Sequence, residues 1–365
     1  MANISWKQAA YNIAKGYRKA AGTTDKVKVG ELPDLIKGLD LGGFPNGKEW
    51  TQSNITSSNF NCVYNANGIW VAGSWSSKGL YYSTDGKTWT QSNITSGSFK
   101  CVYNANGIWV ASSNSSNGLY YSTDGKSWTQ SNITSGDFNC VYNANSIWVA
   151  SSENGLYYST DGMTWTQSNI TGSSFQCVYN ANGIWVAGSY SSNGLYYSTD
   201  GKTWTQSNIT SGSFYNNSIY NANGIWVAGS ASSKGLYYSL DGMTWTQSNI
   251  IGSSFYYVYN ANGIWVAGSY NNSKGLYYST DGMTWTQSNI TSGYFYCVYN
   301  ANGIWVAGRS NKGLYYSIDG MTWTQSNITS GDFFCVYNAN GIWVAGSNSS
   351  KGLYYSVTWE IPEQE

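Results

Sequence analysis

No histidine occurs anywhere in this chain. That absence removes the usual general base near neutral pH, the commonest metal ligand, and any Ser-His-Asp or Cys-His arrangement. Charge is scarce as well: only 10% of the 365 residues are Asp, Glu, Lys or Arg, and 18 basic residues against 18 acidic ones leave a formal net charge of zero. With no basic stripe, nucleic acid is not an expected partner, because affinity for phosphate backbones comes from clustered Lys and Arg. No apolar run approaches the roughly eighteen residues of a membrane span, and the N-terminus lacks the continuous apolar core of a signal peptide. Neither a metal nor another cofactor is expected.

Aromatics, by contrast, make up 17% of the chain, and most of them are periodic. Sixteen of the 19 tryptophans fall at two fixed places in a recurring unit, the exceptions being Trp6, Trp75 and Trp359. Twenty-four of the 33 tyrosines are fixed in the same way. The periodic set reads as core, and the remainder is what can carry specificity.

The unit is exemplified by residues 50–88, and successive copies open on Trp50, Trp89, Trp128, Trp165, Trp204, Trp245, Trp285 and Trp323. Self-similarity at about forty residues is the mark of a repeat architecture. Within one copy, Phe60–Asn65 is rich in aromatic and β-branched residues and meets Asn67-Gly68, a two-residue hairpin signal. Ile69–Gly73 returns, a polar loop over 74–79 leads into Leu80–Ser83, and Asp85-Gly86 turns the chain toward a fourth strand around Trp89. These strands are apolar at nearly every position, which implies burial on both faces. The pattern predicts an all-β fold: an eight-bladed β-propeller of four-stranded antiparallel blades, with seven blades as the alternative count. Residues 47–365 form the propeller, and strand 47–55 closes the last blade and removes an open edge; the competing closure uses 357–360. Residues 1–46 differ in kind and predict a small helical segment and linker, with helices over 4–21 and 32–39.

Cys62, Cys101, Cys140, Cys177, Cys297 and Cys335 all occupy one place in the repeat, filled by Ser218 and Tyr257 in the other two copies. Equivalent positions lie a blade apart, too far for a disulfide. They read as buried free thiols, which together with the missing signal peptide suggests folding in a reducing cytoplasm.

The third turn, S-T-D-G-K-T-W at residues 83–89, resembles the Asp-box (BNR) motif of sialidase-like propellers, although that motif commonly has a residue between Asp and Gly. It recurs with Asp85, Asp124, Asp161, Asp200, Asp241, Asp281 and Asp319. The resemblance implies a structural role for these aspartates, away from any active site. Residues 21–39 are similar to a segment near the start of tail or minor structural proteins of phages and prophages of Gram-positive bacteria. That similarity implies attachment to tail or virion components, and hence a virion or extracellular location after assembly in a bacterial cytoplasm; a helical cap on the propeller is the plain alternative.

Catalysis has little to work with. A sialidase needs three arginines on the substrate carboxylate, and this chain has only Arg18 and Arg309. A glycoside hydrolase needs two carboxylates across the scissile bond. Outside the Asp boxes, Asp137 and Glu153 are the one pair close enough in the repeat to name, and solvated loop charges are the plainer reading. The expectation is a non-enzymatic protein.

Comparison of the copies locates variation. The first and third turns are nearly uniform, whereas the second loop, the inter-blade loop and the residue before the cysteine position vary, all on one face. That face carries the non-periodic rings Trp75, Tyr190, Tyr215, Tyr256, Tyr270, Tyr294 and Tyr296, with Lys100 and Arg309. Rings beside Asn and Ser suit a cell-surface glycan or protein, by stacking and adaptable hydrogen bonding. The expected function is therefore a recognition module, a phage-tail receptor-binding or lectin-like propeller. A structural virion or scaffold component, with these loops merely drifting, is the alternative.

Overall fold

A computed structural model describes residues 47–357, apart from Ser115, Ser116, Ser191, Ser192, Asn272 and Ser350 and the side chains of Asn216 and Val357. The expected helices and the attachment segment over 1–46 lie outside the described residues, as does 358–365.

Eight four-stranded antiparallel sheets follow one another. Blade 1 consists of Phe60–Ala66, Ile69–Ser74, Leu80–Ser83 and Thr90–Gln91, the first strand being innermost. Blades 2 to 7 repeat this from Phe99, Phe138, Phe175, Phe214, Phe255 and Phe295. In blade 8, Phe333–Ala339, Ile342–Ser347 and Leu353–Val357 take their fourth strand from the other end of the chain, Thr51 pairing with Tyr355 and Gln52 with Tyr354. Val357 itself pairs with Ile342 in the third strand.

Local chemistry accounts for the turns. Asn67 and Gly68 both take positive φ, 51° and 78°, as the tight hairpin requires. In the copy that lacks this glycine, Ser146 adopts φ 62°. The third turn is held by its own side chains. The Ser83 hydroxyl donates to Asp85 Oδ1 at 2.8 Å, and the same oxygen accepts from Lys87 and Thr88 N–H at 2.8 and 2.7 Å. Ser83 Oγ accepts from Gly86 N–H at 2.9 Å. Asp124, Asp161, Asp200, Asp241, Asp281 and Asp319 repeat the arrangement.

Against the upward push of partial burial, these hydrogen bonds hold all seven carboxyls below the ordinary carboxylate value. A depressed folded-state pKa contributes stability that is fully present above the unfolded value and is lost as pH falls through the folded one. Thermal midpoints should therefore hold from neutral pH down to about pH 5 and fall steadily below about pH 4. A midpoint unchanged down to pH 2 would show that these aspartates are not holding their turns.

Between blades, packing is layered. Phe99, Val102, Trp109 and Ala111 of blade 2 meet Val71 and Leu80 of blade 1, with Cys62 and Tyr64 at the inner end. Two closed rings run through the repeat. Near the axis, Tyr64, Tyr103, Tyr142, Tyr179, Tyr220, Tyr259, Tyr299 and Tyr337 form a circle, with neighbouring centroids 4.9–5.2 Å apart. Farther out, the Asn54 amide grips the backbone of Trp89, donating to its carbonyl at 2.9 Å and accepting from its N–H at 2.8 Å. The same clamp links each blade to the next and closes with Asn327 on Trp50.

Candidate functional site: the variable face

The second loop of each blade is stitched to the inter-blade loops on either side of it. In blade 1, Gly79 N–H donates to the Gly97 carbonyl at 3.0 Å and Trp75 N–H to the Asn59 carbonyl at 2.8 Å. The uniform turns gather at the opposite end, where Gly86 lies against Trp70 and Ile342. The variable loops therefore share one face of the ring.

On that face the structure divides the sequence-derived candidates into two groups. Over blades 4 to 8 the rings form a continuous arc. Tyr190 meets Tyr215 edge-on at 5.1 Å, Tyr215 stacks on Tyr256 at 4.1 Å, and Tyr256 stacks on Tyr270 at 3.8 Å and 5°. Tyr270 then approaches Tyr294 at 5.0 Å and Tyr296 at 6.0 Å. Tyr296 packs on Phe334 at 4.1 Å. Phe334 lies outside the sequence-derived set; its signal was its place before the cysteine, which puts it beside Tyr296 in the next blade.

A two-residue insertion in blade 5 assembles the arc. Its first strand runs Phe214–Ala222, and the pairing to the second strand jumps between Phe214 and Ile219, which places the inserted Tyr215 against Tyr256. Much of each ring is covered by the next, so the arc is a preformed surface with its outermost rings in solvent: Tyr190 is 45% exposed and Tyr270 36%. Burial pushes Tyr215 up to about 12 and raises Tyr256 and Tyr296, so these three hydroxyls stay uncharged near neutral pH.

Trp75 stands apart, over blade 1. Lys100 lies 5.7 Å above its ring and donates to Asn139 Oδ1 at 2.6 Å. Asn139 is wholly buried and donates in turn to the Phe175 carbonyl. Burial lowers the Lys100 pKa, opposed by the nearby charges of Glu153 and Asp137. Glu153 N–H donates to the Asp137 carbonyl at 3.1 Å, which ties together the two loops whose acidic charges act on Lys100. Arg309 is engaged internally: it donates to the Tyr315 hydroxyl at 3.0 Å and to Ser292 Oγ at 3.3 Å, and it lies over the Tyr315 and Phe295 rings. Asp332 caps a loop, accepting from Ser310 Oγ and Asn311 N–H.

A cavity of about 240 Å³ runs along the axis inside both groups. Asn61, Lys100, Asn139, Asn217 and Phe334 line it toward the variable face, followed by the thiols, a layer of valines and the tyrosine ring. Burial raises Cys62, Cys177, Cys297 and Cys335, and all six cysteines are free. Among the described residues, no group of three or more Cys, Asp or Glu could hold a metal ion, and no helix is long and apolar enough to cross a membrane.

No protein-family model and no curated protein matches this chain. Solved structures do. A computationally designed protein, Ika8, superposes with a TM-score of 0.68 at 11% identity, covering 85% of this chain and 100% of its own. BamB from Moraxella catarrhalis gives 0.59 at 10% identity, over 85% and 100%. YCF48 bound to a D1 peptide gives 0.54 at 15% identity, over 90% and 99%. At these identities the likeness establishes the propeller fold.

Proposed function

We propose that this chain is a non-catalytic recognition module whose aromatic arc engages a cell-surface glycan or a protein. The observation that carries this reading is the arc itself: seven non-repeat rings from five blades in unbroken contact on the face where the copies diverge. Loop drift without selection does not place such rings in register across five blades. Supporting it, the turns with recurring aspartates use those side chains to hold their own backbone, as the Asp-box resemblance implies, and Arg309 is taken up by internal contacts. Peptide binding by the similarly folded YCF48 makes a protein ligand reasonable for this fold. A phage or prophage tail is the setting the N-terminal resemblance favours, with residues 1–46 as the attachment segment.

Screening the full chain on a glycan array, and against surface proteins of candidate host bacteria, tests the proposal. Tyr270→Ala removes an exposed ring at the centre of the arc and should weaken binding about tenfold or more, whereas Trp75→Ala should leave it within about twofold. Equal losses from both would extend the site beyond the arc to Trp75, and a loss from Trp75→Ala alone would move it off the arc. Binding indifferent to Tyr270 and Tyr190 alike would favour a purely structural virion or scaffold component. Glycan turnover that is abolished by Glu153→Gln would overturn the non-catalytic part of the reading.

A further inference from the structure

The zero net charge of the chain conceals an uneven distribution. Among the described residues, the variable face carries seven basic side chains against three acidic ones. The opposite face, with its seven turn aspartates, carries four basic against eight acidic. The seven residues of an innermost strand such as Phe60–Ala66 set the two faces about 20 Å apart. That is about twice the distance over which 0.1 M salt screens a charge, so a ligand at one face feels little of the other.

Five of the seven form a row that no stretch of sequence shows. Lys78, Lys234, Lys274, Lys312 and Lys351 share one place in the repeat, the end of the second loop, in blades 1, 5, 6, 7 and 8; blades 2, 3 and 4 have Asn117, Asn154 and Asn193 there. A glutamine of the outermost strand fixes each of them. Gln91 Nε2 donates to the Lys78 carbonyl at 2.8 Å, Gln287 to Lys274 at 2.6 Å, Gln325 to Lys312 and Gln52 to Lys351 at 2.7 Å, and Gln247 to Lys234. Tyr215, Tyr256 and Tyr296 belong to innermost strands, so the lysines border the arc on its outer side over blades 5 to 8 and continue onto blade 1. All five are exposed or half-exposed, and none pairs with a carboxylate among the described residues; Lys234 and Lys351 donate to Ser211 and Ser330 Oγ at 2.6 and 2.8 Å. Of the three acidic groups on this face, Asp137 and Glu153 lie over blade 3, beyond the row, and Asp332 is spent on Ser310 and Asn311.

We propose that the ligand of the arc is an anionic glycopolymer, a linear glycan whose repeating units carry carboxylate or phosphate groups, with its sugars on the tyrosines and its charges along the lysine row. This deepens the recognition reading and rests on the arc being the binding surface. Lysines set one per blade match a chain with charge at a regular repeat, and a basic border speeds encounter with such a chain. Nucleic acid shares the regular charge, but its bases need open ring faces to stack on. Tyr256 lies between Tyr215 and Tyr270 at 4.1 and 3.8 Å, so both of its faces and one face of each neighbour are covered. Ring edges and hydroxyls are left, and phenolic hydroxyls hydrogen-bond sugar hydroxyls.

The test measures binding of the full chain to polygalacturonate and phosphomannan, to their uncharged counterparts (the methyl ester and neutral mannan), and to poly(L-glutamate) and poly(dT), at 50 and 500 mM salt. At least one of the two anionic glycans should bind tenfold or more tighter than its counterpart and weaken with salt, and which of them does so separates carboxylate from phosphate. Lys274→Gln with Lys312→Gln should weaken that binding about fivefold or more, whereas Lys87→Gln with Lys202→Gln, on the opposite face, should change it less than twofold. Uncharged polymers binding as well as charged ones, equal losses from both lysine pairs, or tighter binding of poly(L-glutamate) or poly(dT) than of either anionic glycan would each overturn the inference. A loss on Tyr270→Ala without one on the Lys274, Lys312 pair overturns it and keeps the arc. The reverse pattern removes the arc reading, and this inference with it.

Discussion

Trp50→Ala is expected to destabilise the protein by about 3–5 kcal/mol, the range for removing a large buried aromatic. Trp50 is 4% exposed and packs with Cys297, Val306, Leu314, Phe333 and Trp343 of blades 7 and 8. Its indole N–H donates to the Gly47 carbonyl at 2.6 Å. It also presents the backbone that Asn327 grips, at 2.9 and 3.1 Å. Seven other tryptophans have the same place in their blades, but theirs are joined covalently to the third strand they pair with. Trp50 belongs to the segment that joins the two ends of the chain, so loss of its packing also loosens the seam. Chemical denaturation should show Trp50→Ala and Trp128→Ala with comparable losses, and limited proteolysis should show earlier cleavage near residue 47 in Trp50→Ala alone. A loss under about 1 kcal/mol would mean that the seam does not depend on this side chain.

Gly79→Ala is expected to cost several kcal/mol, against about 1 kcal/mol for Gly68→Ala. Both glycines have positive φ, 74° and 78°. Around Gly68 nothing lies within 4 Å of an added Cβ, so only backbone strain is felt. At Gly79 the Cβ would run into the carbonyl of Ile94, which accepts the Leu80 N–H at 3.0 Å. Relief requires breaking that hydrogen bond or shifting the inter-blade loop. Each other blade has a glycine in the same predicament: Gly118, Gly155, Gly194, Gly235, Gly275, Gly313 and Gly352. Equal thermal midpoints for the two variants would show that the loop yields without cost.

The expected four-stranded blades and their number were legible because the signals are local. Asn-Gly and Asp-Gly dictate backbone angles within the turns that contain them, and the two tryptophans per copy mark the strands that need burial. Strand ends differ modestly: the fourth strand pairs over only two residues in most blades, with its tryptophan just before the pairing begins. The asparagine of S-N-I carried no sequence-level role, because its partner is the tryptophan backbone of the following copy, about 35 residues away.

The site was legible as a face and not as a surface. Sequence comparison gathered Trp75, Lys100 and Arg309 with the tyrosines, since all break the repeat. The ring geometry separates them: Tyr256 and Tyr270 stack at 3.8 Å, Trp75 pairs with Lys100 over blade 1, and Arg309 is spent on Tyr315 and Ser292.

By itself, then, the chain's missing histidine, sparse charge and recurring turns determined a repetitive all-β array and left few residues to examine, since turn angles and strand burial are set within one copy. Tertiary structure decided which of those residues meet. Contacts between blades depend on how eight copies close into a ring, and on a two-residue insertion in blade 5 whose tyrosine meets the ring of the next blade.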